Sequence, residues 1–422
     1  QMTALALPGD GLEAPAAEAA TSQTLPEAEA PEQEPPEAEP QQSAQEAQPE
    51  QAPAPAEKAE PADAPLPAAA QKPQFRPAAK LYLARLPELH AAEAVEFLQA
   101  HPGTLTLALA RAALAREGVQ LALESGAELI LAVGGGSVID TCKAIAHGAA
   151  NPGTDIWEFW KRRAPLTRSM PVGVVLTIPA AGSETSDSAV LTNAEAGEKR
   201  GLNTPFNRPA FAILDPLLAA TLPVHQVACG VSDILMHTLD RYFNPVTDNA
   251  LTDELAEALL RVVLEYGPAA VRDAHDETAM SEIMWAGSLS HNGLTGLGGR
   301  KDFATHQLGH ALSEKFDVYH GDSLTAVWSS WARSVMDADP ARFARFARNV
   351  WHVEEADDTA AALAGIAKQE AFFQSIGMPV RLGELSCGKQ DEAGLADLAS
   401  RCSYGKTRTI GTFRVLDYES IL

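Results

Sequence analysis

Cysteine, basic side chains and long apolar runs are all scarce in this chain. Four cysteines (Cys142, Cys229, Cys387, Cys402) occur among 422 residues, with no Cys-x-x-Cys pair. That excludes a disulfide framework and suits a reducing compartment. Lys and Arg total 32 against 56 Asp and Glu, a formal charge of −24. Such a balance argues against non-specific binding of nucleic acid or an anionic membrane, which needs a cationic excess. No stretch of eighteen apolar residues exists, so no membrane-spanning helix is expected. The N-terminus lacks a cationic segment followed by an apolar one, and the expectation is a cytoplasmic protein without a secretory signal.

What is present divides into a tail and an ordered part. Residues 1–79 are dominated by Ala, Pro, Glu and Gln and hold fifteen of the 29 prolines. Within residues 1–80, 14 acidic side chains face four basic ones, a balance of −10. Frequent proline blocks helices and ladders, and few large apolar residues remain to offset chain entropy. A disordered acidic tail is expected. An interaction segment, or sequence from a shifted frame or faulty start, are the other readings.

Residues 80–222 read as a Rossmann-like α/β nucleotide-binding layer whose N-terminal part is atypical or truncated. KLYL (from Lys80) is a short apolar alternation, followed by a helical pattern at Leu89, Ala92, Val95 and Leu98. A further helix ends near Gly126, a usual residue beyond a helix C-terminus. Leu129–Val133 is a continuous apolar run, as expected of a strand covered on both faces. Gly134, Gly135 and Gly136 permit a tight turn, and Ser137 opens a helix whose first N–H groups favour an anion there. Asp140 is expected in that first turn. A strand over Val172–Ile178 then runs into the loop PAAGSET, the place where open α/β sheets hold ligands. A third short strand precedes the turn at Asp215–Pro216.

From Pro223 to residue 422 the pattern is helical. Leu255, Leu259, Val262, Val263 and Tyr266 share one face, with Thr252 as the expected N-cap. Phe343, Phe346, Phe372 and Phe373 fall on apolar stripes read as ordinary core. The chemistry-bearing residues here are histidines, of which the chain has only eleven. Asp233 and His237 lie four apart, as do His306 and His310, so each pair shares a helical face. His320 precedes Gly321, read as following a helix end. Imidazoles with one carboxylate suit a divalent transition metal. Spacing alone leaves open whether the two clusters meet.

With these residues in view, the chain resembles the iron-containing (group III) alcohol dehydrogenases, close to their butanol dehydrogenase and NADPH-dependent aldehyde reductase branch. The resemblance runs from about Arg116 to the C-terminus. It rests on LILAVGGGSVIDTCKAIA, LTIPAAGSETSDSAVLTN, ILDP, GVSDILMHTLDRYF and HQLGHALSEKFDVYHGDSL, in this order. It implies an all-α metal-binding domain over 223–422, with Asp233, His237, His306 and His320 as metal ligands. Spacing would have paired His310 with His306; the resemblance makes His310 a nearby group able to relay the substrate proton. It also implies that Gly134–Ser137 binds a dinucleotide pyrophosphate, with Thr177, Ala181, Gly182, Ser183 and Lys199 on the cofactor side. The implied metal is Fe(II), although the ligand set also accepts Zn or another divalent ion. The implied redox partner is NADP or NAD, the substrate a small alcohol or aldehyde, and the assembly a homodimer.

The N-terminal part departs from the family pattern. Residues 80–133 contain no earlier Gly-rich strand end, and one βαβ unit needs roughly 30 residues. The nucleotide sheet is therefore expected to lack strands. Two other functions stand beside a dehydrogenase: a non-catalytic homologue with a damaged cofactor domain, and a lyase of the dehydroquinate synthase type.

Overall fold

The apolar run around Ile130 does form a strand, and its neighbours in the sheet are equally apolar. In this computed structural model the described residues are 3–6, 82–83 and 112–422, residue 197 excepted. The strands are β1 (Thr3–Ala6), β2 (Tyr82–Leu83), β3 (Ile130–Gly134), β4 (Val172–Leu176), β5 (Ser188–Asn193), β6 (Glu198–Asn203) and β7 (Phe211–Leu214). Five of them form one sheet in the order β1-β7-β4-β3-β2. Within it β2, β3, β4 and β7 run parallel, and β1 is antiparallel to β7. Their sequences do not alternate in polarity, as expected of parallel strands, although in β3 and β7 every second position is only partly buried.

Two features of this layer differ from expectation. Thr3–Ala6, inside the segment read as tail, adds to the edge of β7, whose outer N–H and C=O groups would otherwise be unpaired. The remainder of 1–79, and the helical pattern at Leu89–Leu98, lie outside the described residues. Second, β5 and β6 form a separate antiparallel hairpin. Its turn is held by the Asn193 side chain, which accepts from the N–H groups of Glu195 (3.2 Å) and Ala196 (3.3 Å).

Helix α1 (Ala112–Ser125) stops at Gly126, which takes φ +60, as the glycine there suggested. Helix α2 (Gly136–Ala150) starts directly after β3, and the short α3 (Ile156–Trp160) follows. The remaining helices are α4 (Val224–Tyr242), α5 (Ala250–Arg272), α6 (Glu277–His291), α7 (Ala304–Phe316), α8 (His320–Val335), α9 (Pro340–Trp351), α10 (Asp358–Ser375), α11 (Glu392–Cys402) and α12 (Tyr418–Ile421). Among the described residues after Pro223 the only ladder is an isolated bridge between Ile410 and Leu416. Helix α5 begins at Ala250 with Asn249 as its N-cap, not at Thr252. The four phenylalanines of α9 and α10 are buried, as their stripes required.

Helix α4 is the centre of the helical layer. Nearly every residue from Val227 to Tyr242 is buried, and a helix buried all round belongs to a core. Gly230 lets it touch the loop after β4: a Cβ there would lie 2.1 Å from the Pro179 carbonyl oxygen. Glycine inside a helix ordinarily costs about 1 kcal/mol against alanine. Here close approach outweighs that cost, and it brings the sheet's loop against the helix that carries Asp233 and His237.

Burial also fixes a histidine in the α/β layer. The ring of His147 on α2 is fully buried; its Nε2 donates to Asn207 Oδ1 (2.7 Å) and its Nδ1 lies 2.8 Å from Ser169 Oγ. Desolvation pushes it down from 6.5 to about 4. The folded value lies below the unfolded one, so the stability from the neutral ring is complete above pH 6.5. It is lost as pH falls from there through about 4. The loss is on the order of 3 kcal/mol at its fullest. Replacing His147 with Gln is expected to shrink the drop in melting temperature between pH 7 and pH 5; an unchanged drop would assign acid sensitivity elsewhere.

Candidate metal centre and nucleotide turn

The carboxyl ends of β3 and β4 bring two loops together. The Thr177 N–H donates to the Gly134 carbonyl (3.1 Å). A Cβ on Gly134 would lie 2.8 Å from Val138, and one on Gly135 3.2 Å from Ile178. A Cβ on Gly136 would stand 3.7 Å from the Ala181 methyl. The turn thus keeps bare backbone at the N-terminus of α2, where an anion is favoured. Gly182 takes φ +62, and a Cβ on it would sit 2.6 Å from the Gly287 carbonyl of α6. Both backbone conformation and space demand glycine there.

Two expected cofactor residues turn out to be committed to each other. Asp140 lies a turn inside α2 rather than in its first turn. Its carboxylate accepts from the Ser183 hydroxyl (2.6 Å) and the Val190 N–H (2.8 Å). Lys143, fully buried, donates to Ser183 Oγ (2.8 Å) and to the Ser188 carbonyl (2.7 Å). Desolvation pulls this lysine down to about 8 against the carboxylates of Asp140, Glu184 and Asp187. These side chains brace the turn and the loop after β4. Lys199 on β6 is also held below the ordinary lysine range by burial, against the pull of Glu314, Asp140, Asp233 and Asp317.

The histidine clusters do meet. Asp233 Oδ1 lies 3.4 Å from His237 Nε2, 3.6 Å from His306 Nε2 and 3.7 Å from His320 Nε2. Helix α4 supplies the first two residues and α7 supplies His306. His320 opens α8, in place of the loop position expected for it. The ring of His310 stacks on that of His320 (centroids 5.3 Å apart, 25° between planes) and stands 6.3 Å from His306.

Electrostatics make this cage an acceptor for a cation. Asp233 Oδ1 and His306 Nε2 are buried with no hydrogen-bond partner, whereas buried polar atoms are ordinarily satisfied. Asp240, fully buried on α4, accepts hydrogen bonds from His306 Nδ1 at 2.6 Å and from the Thr305 hydroxyl. That is the outer carboxylate that orients a metal-ligating imidazole and aims its other nitrogen inward. Burial disfavours the His306 imidazolium, but the nearby carboxylates of Asp233 and Asp240 outweigh it and raise the group to about 9. A cation in the cage would displace that proton. Burial keeps His237 and His310 well below the usual imidazole range, so they present lone pairs. Asp233, His306 and His320 place one donor atom each within 4.8 Å of one another. One carboxylate with imidazoles fits a first-row divalent metal.

Three contributors were not anticipated. His291, the last residue of α6, packs its ring against that of His237 (centroids 4.0 Å, planes 31° apart) and donates from Nδ1 to the Ala181 carbonyl, tying cage to nucleotide loop. Asp302 accepts from the N–H groups of Ala304 (2.9 Å), Thr412 (2.6 Å) and Phe413 (2.8 Å). That holds Phe303 at φ +57, a left-handed conformation that side chains rarely adopt, just before the helix that carries His306. Asp240 alone was legible, three residues after His237 on the same helix.

A parallel α/β layer with a glycine turn thus packs against a helical layer that carries an aspartate–histidine cage. Residues 110–216 match the family model for iron-containing alcohol dehydrogenase. Residues 226–419 match the C-terminal model of the Fe-containing alcohol dehydrogenase family. The chain belongs to the iron-containing alcohol dehydrogenase family. It is 35% identical over 309 residues to NADH-dependent butanol dehydrogenase A of Clostridium acetobutylicum, covering 73% of this chain and 78% of that one. It is 35% identical over 268 residues to the NADPH-dependent aldehyde reductase YqhD of Escherichia coli, covering 63% and 69%. The crystal structure of NADH-dependent butanol dehydrogenase A from Thermotoga maritima superposes with a TM-score of 0.70 at 28% identity, covering 78% of this chain and 85% of that one. These relatives favour the dehydrogenase reading over the lyase reading.

Proposed function

We propose that this protein transfers hydride between NAD(H) or NADP(H) and a primary alcohol or aldehyde, with Asp233, His237, His306 and His320 holding one divalent metal, iron(II) by family. The observation that carries the reading is the pair of buried, partnerless donor atoms, Asp233 Oδ1 and His306 Nε2, 3.6 Å apart among imidazoles. When bound, the metal supplies Lewis acidity toward the substrate oxygen, and the nicotinamide supplies the redox chemistry. The rest falls to the chain. Asp240 keeps His306 aimed inward, and His291 couples the cage to the loop at Ala181. The N–H groups at Gly135, Gly136 and Ser137 offer the pyrophosphate its anion site. Lys199 carries the nearby positive charge suited to a phosphate.

His310 is the residue placed to move the alcohol proton, since burial keeps its ring neutral beside His320. Replacing His310 with Ala is expected to keep metal content and lower turnover by roughly 10²-fold, the usual worth of positioned acid–base transfer. Loss of metal together with turnover would instead make it a ligand. The proposal as a whole is tested by titrating the full chain with NADH and NADPH and following nicotinamide fluorescence. Saturable binding of at least one supports it. Binding of neither, at concentrations that saturate ordinary dehydrogenases, would sink it.

A further inference from the structure

The cage uses only half of a longer row of donors. Helix α4 carries His225, Cys229, Asp233 and His237, each four residues after the last, so all four lie along one face. Asp233 and His237 belong to the cage. His225 and Cys229 meet a different partner, Asp322, two residues beyond His320 on α8. Gly321 permits the meeting: a Cβ there would lie 2.7 Å from the Cys229 Cα, so any larger residue would hold the two helices apart.

The three side chains form a compact triangle. His225 Nε2 is 3.1 Å from Asp322 Oδ2, Cys229 Sγ is 3.6 Å from His225 Nε2, and the same sulfur is 3.9 Å from Asp322 Oδ1. Tetrahedral zinc, with bonds of about 2.0–2.3 Å, requires neighbouring donors about 3.3–3.6 Å apart. The observed edges straddle that range, so small side-chain rotations suffice. A carboxylate and a thiolate together balance a divalent charge, and sulfur selects zinc-like ions over magnesium or calcium. The cluster borders a cavity of about 580 Å³ lined by Tyr319, Gln374, Met378 and Glu384 among others. A fourth coordination position is therefore open to water. Without an ion the three groups hydrogen-bond to one another, the thiol reaching Asp322 Oδ1 at 3.9 Å, and a bound metal would replace those weak sulfur contacts with a thiolate bond.

We propose that His225, Cys229 and Asp322 form a second metal site, separate from the cage, for a soft divalent cation such as zinc(II). The site stands independently of the catalytic reading, because it shares no ligand with the cage. Binding releases the thiol proton, and the ion draws the first turns of α4 and α8 together.

Cobalt(II) is the probe, since a cobalt–thiolate bond gives a charge-transfer absorption that imidazole and carboxylate ligands do not. Metal-stripped full-length protein is expected to bind two equivalents, the second accompanied by that band. Cys229→Ser is expected to lose the band and one equivalent. His225→Ala, at a side chain 43% exposed and so harmless to the fold, should weaken the same event at least tenfold. Asp233→Asn should lose the other equivalent and keep the band, which separates failure of the cage from failure of this site. A wild-type protein that binds one equivalent without the band overturns the proposal and leaves a hydrogen-bonded pair. A band that survives Cys229→Ser overturns it equally.

Discussion

Asp233→Asn is expected to empty the cage and to lower kcat/KM by about 10³-fold or more. Asp233 is 4% exposed, and its Oδ1 stands within 3.7 Å of three imidazole nitrogens. Asparagine keeps the volume but removes the charge and can place an N–H where a lone pair was needed. A Lewis acid at a reacting oxygen is worth several kcal/mol, and each 1.36 kcal/mol is a factor of ten. The metal-free fold is not at risk, because the change is isosteric and leaves no cavity. Metal analysis and turnover on one preparation decide the matter. A variant that retains one ion per chain and full turnover contradicts the assignment.

Arg342→Ala acts on the other end of the same helix. The guanidinium is 6% exposed and pairs with Asp253, which is 3% exposed, through Nη2 and Oδ1 at 2.6 Å. Its Nε donates to the Tyr242 carbonyl at 3.0 Å, and the group lies over the Tyr242 ring at 3.9 Å. Tyr242 is the last residue of α4, so Arg342 caps the helix that carries the cage. Removing it strands a buried carboxylate, which ordinarily costs about 3–5 kcal/mol. Arg345, with Nη1 3.5 Å from Asp253, partly compensates and places the expected loss at the lower end. Urea unfolding should show the shift, and Asp253→Ala combined with Arg342→Met should recover most of it. A single variant within about 0.5 kcal/mol of the parent, the range of ordinary surface changes, would refute this view of the pair.

Local patterns were legible where local physics decides. The apolar run at Ile130, the glycine turn after it, the stop at Gly126 and the i,i+4 pairing of Asp233 with His237 all follow from backbone geometry and periodicity. What escaped depends on tertiary approach. Gly321 resembles a helix terminator in sequence, yet it lies inside α8 because only a bare Cα fits against Cys229. Asp140 reads as a first-turn acid beside an anion site, yet Ser183 and Val190 claim its carboxylate from over forty residues away. His291 is a lone histidine in SLSHNGL, and only the packing of α6 on α4 reveals it. Helical spacing paired His310 with His306, whereas its ring stacks on His320. The family resemblance supplied the ligand set that spacing left open.

We propose that the cage of Asp233, His237, His306 and His320 makes this protein a metal-dependent, nicotinamide-dependent alcohol dehydrogenase. The most direct test is oxidation of NADH or NADPH by the full chain with butanal, before chelation, after chelation, and after return of iron(II) under anaerobic conditions. The account predicts turnover that chelation abolishes and iron(II) restores. Turnover indifferent to the chelator, or none with iron(II) and either cofactor present, would contradict it.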